Sequence, residues 1–382
     1  MISRERGFTP FVYSISSSLT IRQSVLRTTR SCGTQEHMMT ISTEPALIWG
    51  AGAIGSILGA ALLDAGRQVV FVDIDERHLE KIRDGGLVIE GAGGDRVYRA
   101  SALAPRDLQE KFATAFLCVR LNDNPQAIPA LAKHLASHAK VIACQNGFGA
   151  WEVAEAFGVS NTVAASFFLP ANLQGPGRVI YGSRADIALG SLDAAGRSAL
   201  ERAFEWLGAI DADVHTVDDI KAVIWSKLCY GALLAAAALD DGLIAEFLAA
   251  PRLRPVVVGI LREMTTIASR TGHPAKDLDW FQPGLIAGDD PAVAEASLDA
   301  TVARLRKSAK PISGYWTQIV QHGRRTELEL MFGPVLRDAG TFGCEAKLLR
   351  TLMKLISDME SGRRTSSPDL IETLLKAAQG RA

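Results

Sequence analysis

The amino-acid sequence predicts an α/β domain followed by an all-helical domain. Over the first half of the chain, short apolar runs alternate with helical stretches, and a glycine-rich turn follows the first run. After Val214 the strand-like runs end and long helical patterns take over. Because 382 residues exceed the usual size of one domain, we place an α/β domain at residues 45–216 and a helical domain at residues 217–382.

The N-terminal segment has a different composition from the rest of the chain. Serines and arginines are frequent there, and Glu5 and Glu36 are the only acidic residues at positions 1–40. This composition is typical of a mitochondrial transit peptide. The alternative is that Met38 or Met39 is the true start and the preceding residues are a mis-called extension or a disordered tail. We therefore predict residues 1–44 to be a disordered or mis-started extension.

Composition argues against several classes of protein. With 41 basic and 42 acidic residues the formal net charge is −1, so no overall field favours nucleic acid or an anionic membrane. The longest apolar stretch, residues 230–239, is shorter than the roughly 18 residues that span a bilayer. The five cysteines form no CxxC pair and the seven histidines have no metal-binding spacing. We expect no metal and a reducing, cytoplasmic location.

The pattern of strands and helices becomes regular from Pro45. A strand at Ala46–Trp49, a helix that runs to about Ala65 and a strand at residues 68–73 make a βαβ unit. Further strand-like runs occupy residues 87–90, 114–119, 140–144, 163–168, 179–182 and 187–190, and a helical stretch occupies residues 125–135. We expect all these runs to join one parallel sheet covered by helices on both faces.

The second domain begins with a helix-start signature. Thr216 is followed three residues later by Asp219, just ahead of an apolar helical period. Helical patterns then occupy residues 217–239, 254–270, 292–306, 315–333 and 348–360. The absence of strand patterns among them predicts an all-helical domain.

The turn after the first strand has the sequence of a phosphate-binding loop. Gly50, Gly52 and Gly55 are spaced as G-x-G-x-x-G, with Ala53 and Ile54 between the last two glycines. Between a strand and a helix, the first glycine makes the turn, the second admits a pyrophosphate and the third lets the helix pack closely. The helix N-terminus then faces the phosphates. These features predict a Rossmann domain that binds a nicotinamide dinucleotide through these five residues.

A carboxylate ends the second strand. Asp73 follows Gly55 by 18 residues, where an acidic side chain accepts hydrogen bonds from the adenosine ribose hydroxyls. This favours NAD(H) over NADP(H), because Asp73 repels a 2′-phosphate, although Arg77 and Arg120 offset part of that repulsion. The alternative is that Asp73 serves only as a turn former.

Four motifs occur in a characteristic order. They are the dinucleotide loop at residues 47–55, Cys-Gln-Asn-Gly-Phe-Gly at residues 144–149, Trp-Ser-Lys-Leu at residues 225–228 and Thr-Glu-Leu-Glu at residues 326–329. With them the chain resembles the ketopantoate (2-dehydropantoate) reductases from Ala46 to Arg363. The resemblance implies that Asn146 and Arg120 belong to the cofactor site, with Arg120 in place of a lysine. It also implies that Lys227 is catalytic, that Glu327 binds substrate and that the cofactor is NADP(H).

The residue types suit these roles on chemical grounds. Reduction of a ketone leaves negative charge on oxygen, which a positioned ammonium stabilises and protonates. Lys227 lies among apolar residues, where partial burial lowers a lysine pKa. Glu327 can bind a substrate hydroxyl, and Asn146 follows a strand, where open α/β sheets bind ligands. The respective alternatives are a snorkelling surface lysine, a solvated ion-paired helix face and a tight turn.

The sequence departs from the family on the lysine helix. Where the family has asparagines that contact substrate, one and two turns beyond the lysine, this chain has Gly231 and Ala235. Residues four apart share a helix face, so both line the same wall as Lys227. Tyr315 stands where the family often has a serine that contacts substrate. These three departures make Gly231, Ala235 and Tyr315 candidate substrate-binding residues and favour a 2-oxo acid bulkier than ketopantoate.

These features predict an enzyme that reduces a 2-oxo acid to a 2-hydroxy acid with NAD(P)H, with the helical domain supplying substrate-binding and catalytic residues. By resemblance, the activity is 2-dehydropantoate 2-reductase and the pathway is pantothenate biosynthesis. Two alternatives stay open: a related β-hydroxyacid or opine-type dehydrogenase with another substrate, and a non-catalytic dinucleotide-binding sensor. The expected partners are a small-molecule substrate and a second copy in a homodimer.

Overall fold

Two sheets form the α/β part of the structure, a computed structural model that describes residues 44–91, 94–182, 184–308 and 310–380. The predicted N-terminal extension, residues 1–44, lies outside the described residues except for Glu44. The strands are β1 Ala46–Trp49, β2 Val69–Val72, β3 Leu87–Gly91, β4 Arg96–Tyr98, β5 Ser101–Leu103, β6 Phe112–Leu117, β7 Leu135–Ala143, β8 Thr162–Phe168, β9 Ala171–Gly175, β10 Arg178–Tyr181, β11 Asp186–Ser191 and β12 Asp213–Thr216.

The larger sheet has eight strands in the order β12-β11-β8-β7-β6-β1-β2-β5. All neighbours in it are parallel except β8 and β11. Strand β1 lies between β2 and β6, so the strand order reverses there, and open α/β sheets bind ligands at such a switch point. The predicted parallel-dominated sheet with helices is confirmed.

A second, four-stranded sheet in the order β4-β3-β10-β9 differs from the prediction. The expectation that residues 87–90 and 179–182 join the main sheet is wrong, because β10 pairs in parallel with β3 and antiparallel with β9. The hairpin that joins β9 to β10 turns at Gly177, whose φ of +72° favours glycine. The runs at 163–168 and 187–190, in contrast, do extend the main sheet as β8 and β11.

Helices cover the sheets and make up the C-terminal half of the described residues. They are α1 Ala53–Asp64, α2 Glu76–Gly85, α3 Asn124–Ala132, α4 Gly149–Phe157, α5 Arg197–Leu207, α6 Ile220–Ala237, α7 Ile244–Ala249, α8 Arg254–Arg270, α9 Pro283–Ala287, α10 Pro291–Leu305, α11 Gly314–Trp316, α12 Leu328–Thr341, α13 Lys347–Glu360 and α14 Pro368–Ala378. The last named strand, β12, ends at Thr216, and the described residues from Ile220 onward contain helices and no further named strand. The predicted helical C-terminal region is therefore confirmed.

The start of α6 differs from the sequence pattern. The helix begins at Ile220, and its cap is Asp219 rather than Thr216. The Asp219 carboxylate accepts a hydrogen bond from the Ala222 amide at 3.0 Å, which satisfies one of the free donors of the first turn.

The predicted helix at 315–333 is interrupted. Helix α11 continues into a single wide turn of π-helix at Thr317–Gln321, and the chain leaves the helix at Gly323, where φ is +57°. Helix α12 then starts at Leu328, with Glu327 at its N-cap. The break therefore brings Glu327 to a helix start instead of leaving it on an exposed helix face.

Helix α6 lies in the apolar core. Among the described residues it is the one helix that is long and apolar enough to cross a bilayer, so the apolar stretch is longer than the predicted one at 230–239. However, 78% of the helix is buried within the protein, as in the core helix of a globular domain. Trp225 on α6 is fully buried and packs edge-to-face against Phe148, with ring centroids 5.4 Å apart. Because Phe148 follows β7, one apolar core runs from a face of the main sheet into the helices.

Candidate active site

Four loops at the carboxyl edge of the main sheet carry predicted cofactor residues. Gly50 follows β1, Asp73 follows β2, Arg120 lies beyond β6 and Asn146 lies beyond β7. Parallel strands bring these loops to one edge of the sheet, on both sides of the switch between β1 and β6. The structure therefore gathers all four residues where a dinucleotide would bind.

The glycine loop has the geometry that each glycine predicts. Gly50 has a φ of +99°, and a Cβ there would lie 2.8 Å from the Val119 amide nitrogen. A Cβ on Gly55 would lie 2.0 Å from the Gly50 carbonyl oxygen, so α1 packs directly on the loop. A Cβ on Gly52 meets nothing within 4 Å, which leaves open space before the first turn of α1, where Ala53 and Ile54 lie. These residues fit a pyrophosphate at the helix N-terminus.

Asp73 is hydrogen-bonded to three backbone amides. Its Oδ2 accepts from Ala51 at 2.8 Å, and its Oδ1 accepts from Ile74 at 2.8 Å and from Asp75 at 3.0 Å. The carboxylate therefore ties the end of β2 to the glycine loop. Because a carboxylate oxygen accepts two hydrogen bonds, Oδ2 retains one acceptor position. The turn-forming and ribose-binding interpretations of Asp73 are thus compatible with each other.

Arg120 and Asn146 are both exposed at this edge. The Arg120 Nε lies 3.6 Å from the Asp123 carboxylate. Asn146 precedes Gly147, which has a φ of +60°, and a Cβ on that glycine would lie 3.4 Å from the Met331 side chain. The loop after β7 therefore makes a tight turn against α12 and leaves the Asn146 side chain directed to solvent.

Lys227 lies on α6 and reaches back to the main sheet. Its Nζ donates a hydrogen bond to the Phe167 carbonyl oxygen at 2.8 Å and lies 5.5 Å from the Phe168 ring centroid. Burial lowers the pKa of Lys227 to about 8, because the charged ammonium loses hydration, while the nearby Glu327 carboxylate opposes that shift. The side chain is thus a docked, partly dehydrated ammonium and not a snorkelling surface lysine.

Glu327 faces the loop after β6. Its Oε1 accepts a hydrogen bond from the Leu121 amide at 2.6 Å. Burial raises the pKa of Glu327, while the Leu121 hydrogen bond and the charges of Arg120 and Lys227 lower it. The carboxylate is therefore not part of a solvated helix face, and it is electrostatically linked to both predicted cations.

The three predicted substrate residues differ in their neighbours, although Gly231 and Ala235 are both buried. Ala235 is fully buried, so the wall that the sequence pattern assigns to it lies inside the core. A Cβ on Gly231 would lie 3.6 Å from Phe332, 3.8 Å from Met331 and 3.8 Å from the Tyr315 hydroxyl. The structure thus brings Gly231 and Tyr315 together with α12, one turn along α6 from Lys227, and leaves Ala235 apart from them.

Several contacts at this site could not be predicted from the sequence motifs. The Phe167 carbonyl that holds Lys227 is a backbone atom, and Met331 follows Glu327 by one helical turn. His78 is buried in the first turn of α2 and touches the glycine loop. The one sequence signal for His78 is its position four residues before the buried Ile82, on the apolar face of α2.

Comparison with known proteins agrees with this geometry. The family described as ketopantoate reductase PanE/ApbA matches residues 46–194, and its C-terminal counterpart matches residues 219–360. The chain belongs to the ketopantoate reductase family. Ketopantoate reductases are nicotinamide-dependent oxidoreductases that act on CH–OH groups.

Individual members of the ketopantoate reductase family are distant in sequence. A 2-dehydropantoate 2-reductase of Archaeoglobus fulgidus is 26% identical over 321 residues, which cover 82% of this chain and 97% of the relative. One from Streptococcus pyogenes serotype M3 is 21% identical over 316 residues, with 82% and 97% covered.

Solved structures share the fold. A D-mandelate dehydrogenase bound to NADH and anilino(oxo)acetate gives a TM-score of 0.71 at 18% identity, covering 83% of this chain and 99% of that one. A 2-dehydropantoate 2-reductase from Geobacter metallireducens gives 0.65 at 21% identity, with 86% and 99% covered.

Proposed function

We propose that this protein reduces a 2-oxo acid to the 2-hydroxy acid with a nicotinamide dinucleotide, and that Lys227 protonates the substrate oxygen. The observation that carries the proposal is the position of Lys227. Its ammonium is partly dehydrated, fixed to the Phe167 carbonyl, and electrostatically linked to Glu327 beside the carboxyl edge of a Rossmann sheet. A cation held in this way suits the charge that forms on a carbonyl oxygen during reduction.

The cofactor, when bound, would supply the hydride. Gly50, Gly52 and Gly55, with Ala53 and Ile54 of the α1 N-terminus, would hold its pyrophosphate. Asp73 would accept a hydrogen bond from a ribose hydroxyl through the free acceptor position on Oδ2. Arg120 and Asn146 lie beyond the two strands on the other side of the switch point, where they would contact the rest of the dinucleotide.

Lys227 and Glu327 have separate roles in proton transfer and substrate binding. The Lys227 ammonium donates its proton to the oxygen of the reacting carbonyl, and its neutral amine is then reprotonated from solvent. Its hydrogen bond to Phe167 fixes the direction of Nζ, so the position of the proton is set before substrate arrives. Glu327 keeps part of the positive charge on Lys227 against desolvation, and it can accept a hydrogen bond from the hydroxyl group that the reduction creates.

The residues near Lys227 and Gly231 favour an apolar substrate side chain. Phe168, Met331 and Phe332 are apolar, and Gly231 has no side chain where the family has an amide. The branched, hydroxylated substituent of ketopantoate gains less from such a wall than an aryl or large alkyl substituent, which buries more apolar surface against it. We therefore propose a bulky apolar 2-oxo acid, and the D-mandelate dehydrogenase among the solved structures makes phenylglyoxylate the natural first candidate.

A substrate panel tests the proposal. Purified protein is assayed for loss of NADH or NADPH absorbance with ketopantoate, phenylglyoxylate, 2-oxoisocaproate and pyruvate. We expect turnover with phenylglyoxylate or 2-oxoisocaproate at a kcat/KM above that of ketopantoate, and a preference for NADH because Asp73 repels a 2′-phosphate. Ketopantoate as the best substrate would overturn the proposed specificity, and NADPH as the better cofactor would overturn the role of Asp73. Cofactor binding without turnover on any 2-oxo acid would indicate a sensor.

Replacement of Gly231 tests the substrate wall directly. A Cβ at this position makes ordinary contacts of 3.6–3.8 Å, so Gly231→Ala should fold and retain activity. The larger side chain of Gly231→Asn extends past these contacts and places an amide one helical turn from Lys227. We expect Gly231→Asn to lower kcat/KM for the bulky apolar 2-oxo acid about tenfold or more, and to shift the ratio of rates towards ketopantoate. Equal specificity of the Ala and Asn variants would contradict this assignment.

We also propose a cytoplasmic location, whereas pantothenate biosynthesis, which the family resemblance implies, would follow only if the panel overturned the proposed specificity in favour of ketopantoate. The four cysteines among the described residues are free thiols, which supports a reducing compartment.

A further inference from the structure

The glycine loop is held from behind by three side chains that all contact Ala51. The Ala51 amide donates to Asp73 Oδ2 at 2.8 Å, as described above. The Ala51 carbonyl oxygen accepts from Ser56 Oγ at 2.6 Å and contacts His78 Nε2 at 2.8 Å. Both the amide and the carbonyl of one loop residue are therefore fixed by side chains from α1, α2 and the end of β2.

His78 is a buried bridge between this loop and the second sheet. The side chain is 2% exposed, and its Nδ1 accepts a hydrogen bond from the Gly177 amide at 2.9 Å. Because Nδ1 accepts, it carries no proton, so the ring proton is on Nε2 and is donated to the Ala51 carbonyl. Gly177 is itself fixed, because its carbonyl accepts from the Val88 amide at 2.8 Å. The histidine is thus anchored in the hairpin between β9 and β10.

The orientation of the Ala51 carbonyl decides where the next amide points. In a trans peptide the carbonyl and the following N–H point in opposite directions. Holding the Ala51 oxygen inward on Ser56 and His78 therefore directs the Gly52 amide outward, into the open space at the N-terminus of α1. In the described residues the Gly52 amide has no hydrogen-bond acceptor. It is a free donor aimed at the position of a bound phosphate.

We propose that His78 is a positioning residue for dinucleotide binding, acting through the Ala51 peptide to aim the Gly52 amide at the cofactor pyrophosphate. The inference rests on the proposed function only in that the loop binds a nicotinamide dinucleotide. It needs neither the identity of the 2-oxo acid nor the role of Lys227. Since Ser56 shares the Ala51 carbonyl with His78, either donor alone still satisfies that oxygen, whereas loss of both leaves a buried carbonyl unpaired.

A double-mutant cycle on NADH binding tests this proposal. The dissociation constant is measured by fluorescence titration for the wild type, His78→Leu, Ser56→Ala and the double variant, with unfolding midpoints for all four. Each single change leaves the Ala51 oxygen paired but held by one side chain instead of two, so we expect it to raise Kd about fivefold. The double change unpairs the oxygen, and we expect it to raise Kd about a hundredfold, more than the product of the two. We expect kcat at saturating NADH to change less than twofold in the single variants, because Lys227 is untouched. Exactly multiplicative effects, or an unchanged Kd in His78→Leu, would overturn the proposal.

Two further variants separate positioning from packing. Glutamine carries a donor and an acceptor about as far apart as the two ring nitrogens, so His78→Gln should restore most of the NADH affinity that His78→Leu loses. A packing role predicts that Gln is at least as harmful as Leu, and that result would overturn the proposal. His138→Leu removes an exposed histidine from β7 and serves as the matched control, with an expected Kd equal to that of the wild type. Failure of the wild type to bind NADH would instead overturn the proposed function.

Discussion

Lys227→Met is expected to lower kcat about a thousandfold while leaving the Kd for NADH nearly unchanged. Methionine fills a similar volume on α6 but removes the ammonium that donates to the Phe167 carbonyl, and loss of a general acid costs about 10² to 10⁴ in rate. The kcat is measured from the steady-state loss of NADH absorbance, and the Kd by fluorescence titration. A retained kcat would remove Lys227 from the chemistry, and a parallel loss of NADH affinity would mean that the lysine serves the cofactor instead.

The rates of the forward and reverse reactions should depend on pH in opposite directions. The pKa of Lys227 is lowered to about 8, so the ammonium is present below that pH and is lost above it. Reduction of the 2-oxo acid should therefore fall as pH rises through about 8, whereas oxidation of the 2-hydroxy acid, which needs the neutral amine, should rise over the same range. The residual activity of Lys227→Met should lack this transition. Lys221→Met, on the same helix and stacked on Phe148 and Trp151, is the matched control.

Gly52→Ala is expected to weaken NADH binding about a hundredfold without unfolding the protein. A Cβ at Gly52 meets no protein atom within 4 Å, and the residue has a φ of −66° that alanine adopts readily, so the apoprotein should tolerate it. The methyl group enters the space that the pyrophosphate needs, and close backbone approach is lost. Isothermal titration with NADH and an unfolding midpoint for each variant measure the two effects.

Gly85→Ala is the control for this glycine. It lies at the end of α2, and an added Cβ there also meets nothing within 4 Å, but the position is remote from the carboxyl edge. Its Kd for NADH should equal that of the wild type. A Gly52→Ala protein that binds NADH normally would show that the dinucleotide does not lie over this loop.

Local patterns predicted the parts of the fold that depend on neighbours in sequence. The β1–loop–α1 unit rests on the spacing of Gly50, Gly52 and Gly55, and each glycine has the steric environment that its position in the motif requires. Lys227 and Glu327 lie 100 residues apart, and the family motifs, not periodicity, assign both to one site. The structure brings their charges within mutual influence.

Long-range pairing was the part that local patterns did not determine. Strand β10 has the same apolar character as β8 or β11, and nothing within its own residues indicates that it pairs with β3, which precedes it by some ninety positions. The hairpin between β9 and β10 of the four-stranded sheet supplies the Gly177 amide that donates to His78, so this contact could not be predicted from the sequence either. The burial of Ala235 also lies beyond local patterns, because four-residue spacing gives a helix face but not the depth at which that face lies in the core.

The ring pair of Phe148 and Trp225 has a practical consequence for protein engineering. Phe148 lies two positions from Asn146 in the chain and Trp225 two positions from Lys227, and their rings meet at 5.4 Å. In a chimaera that takes the helical half of a relative in order to change substrate preference, Phe148 would pack against a residue other than its native partner Trp225. A change in the packing of these rings would displace the backbone that carries Lys227 and Asn146. The two aromatic residues should therefore be transferred together.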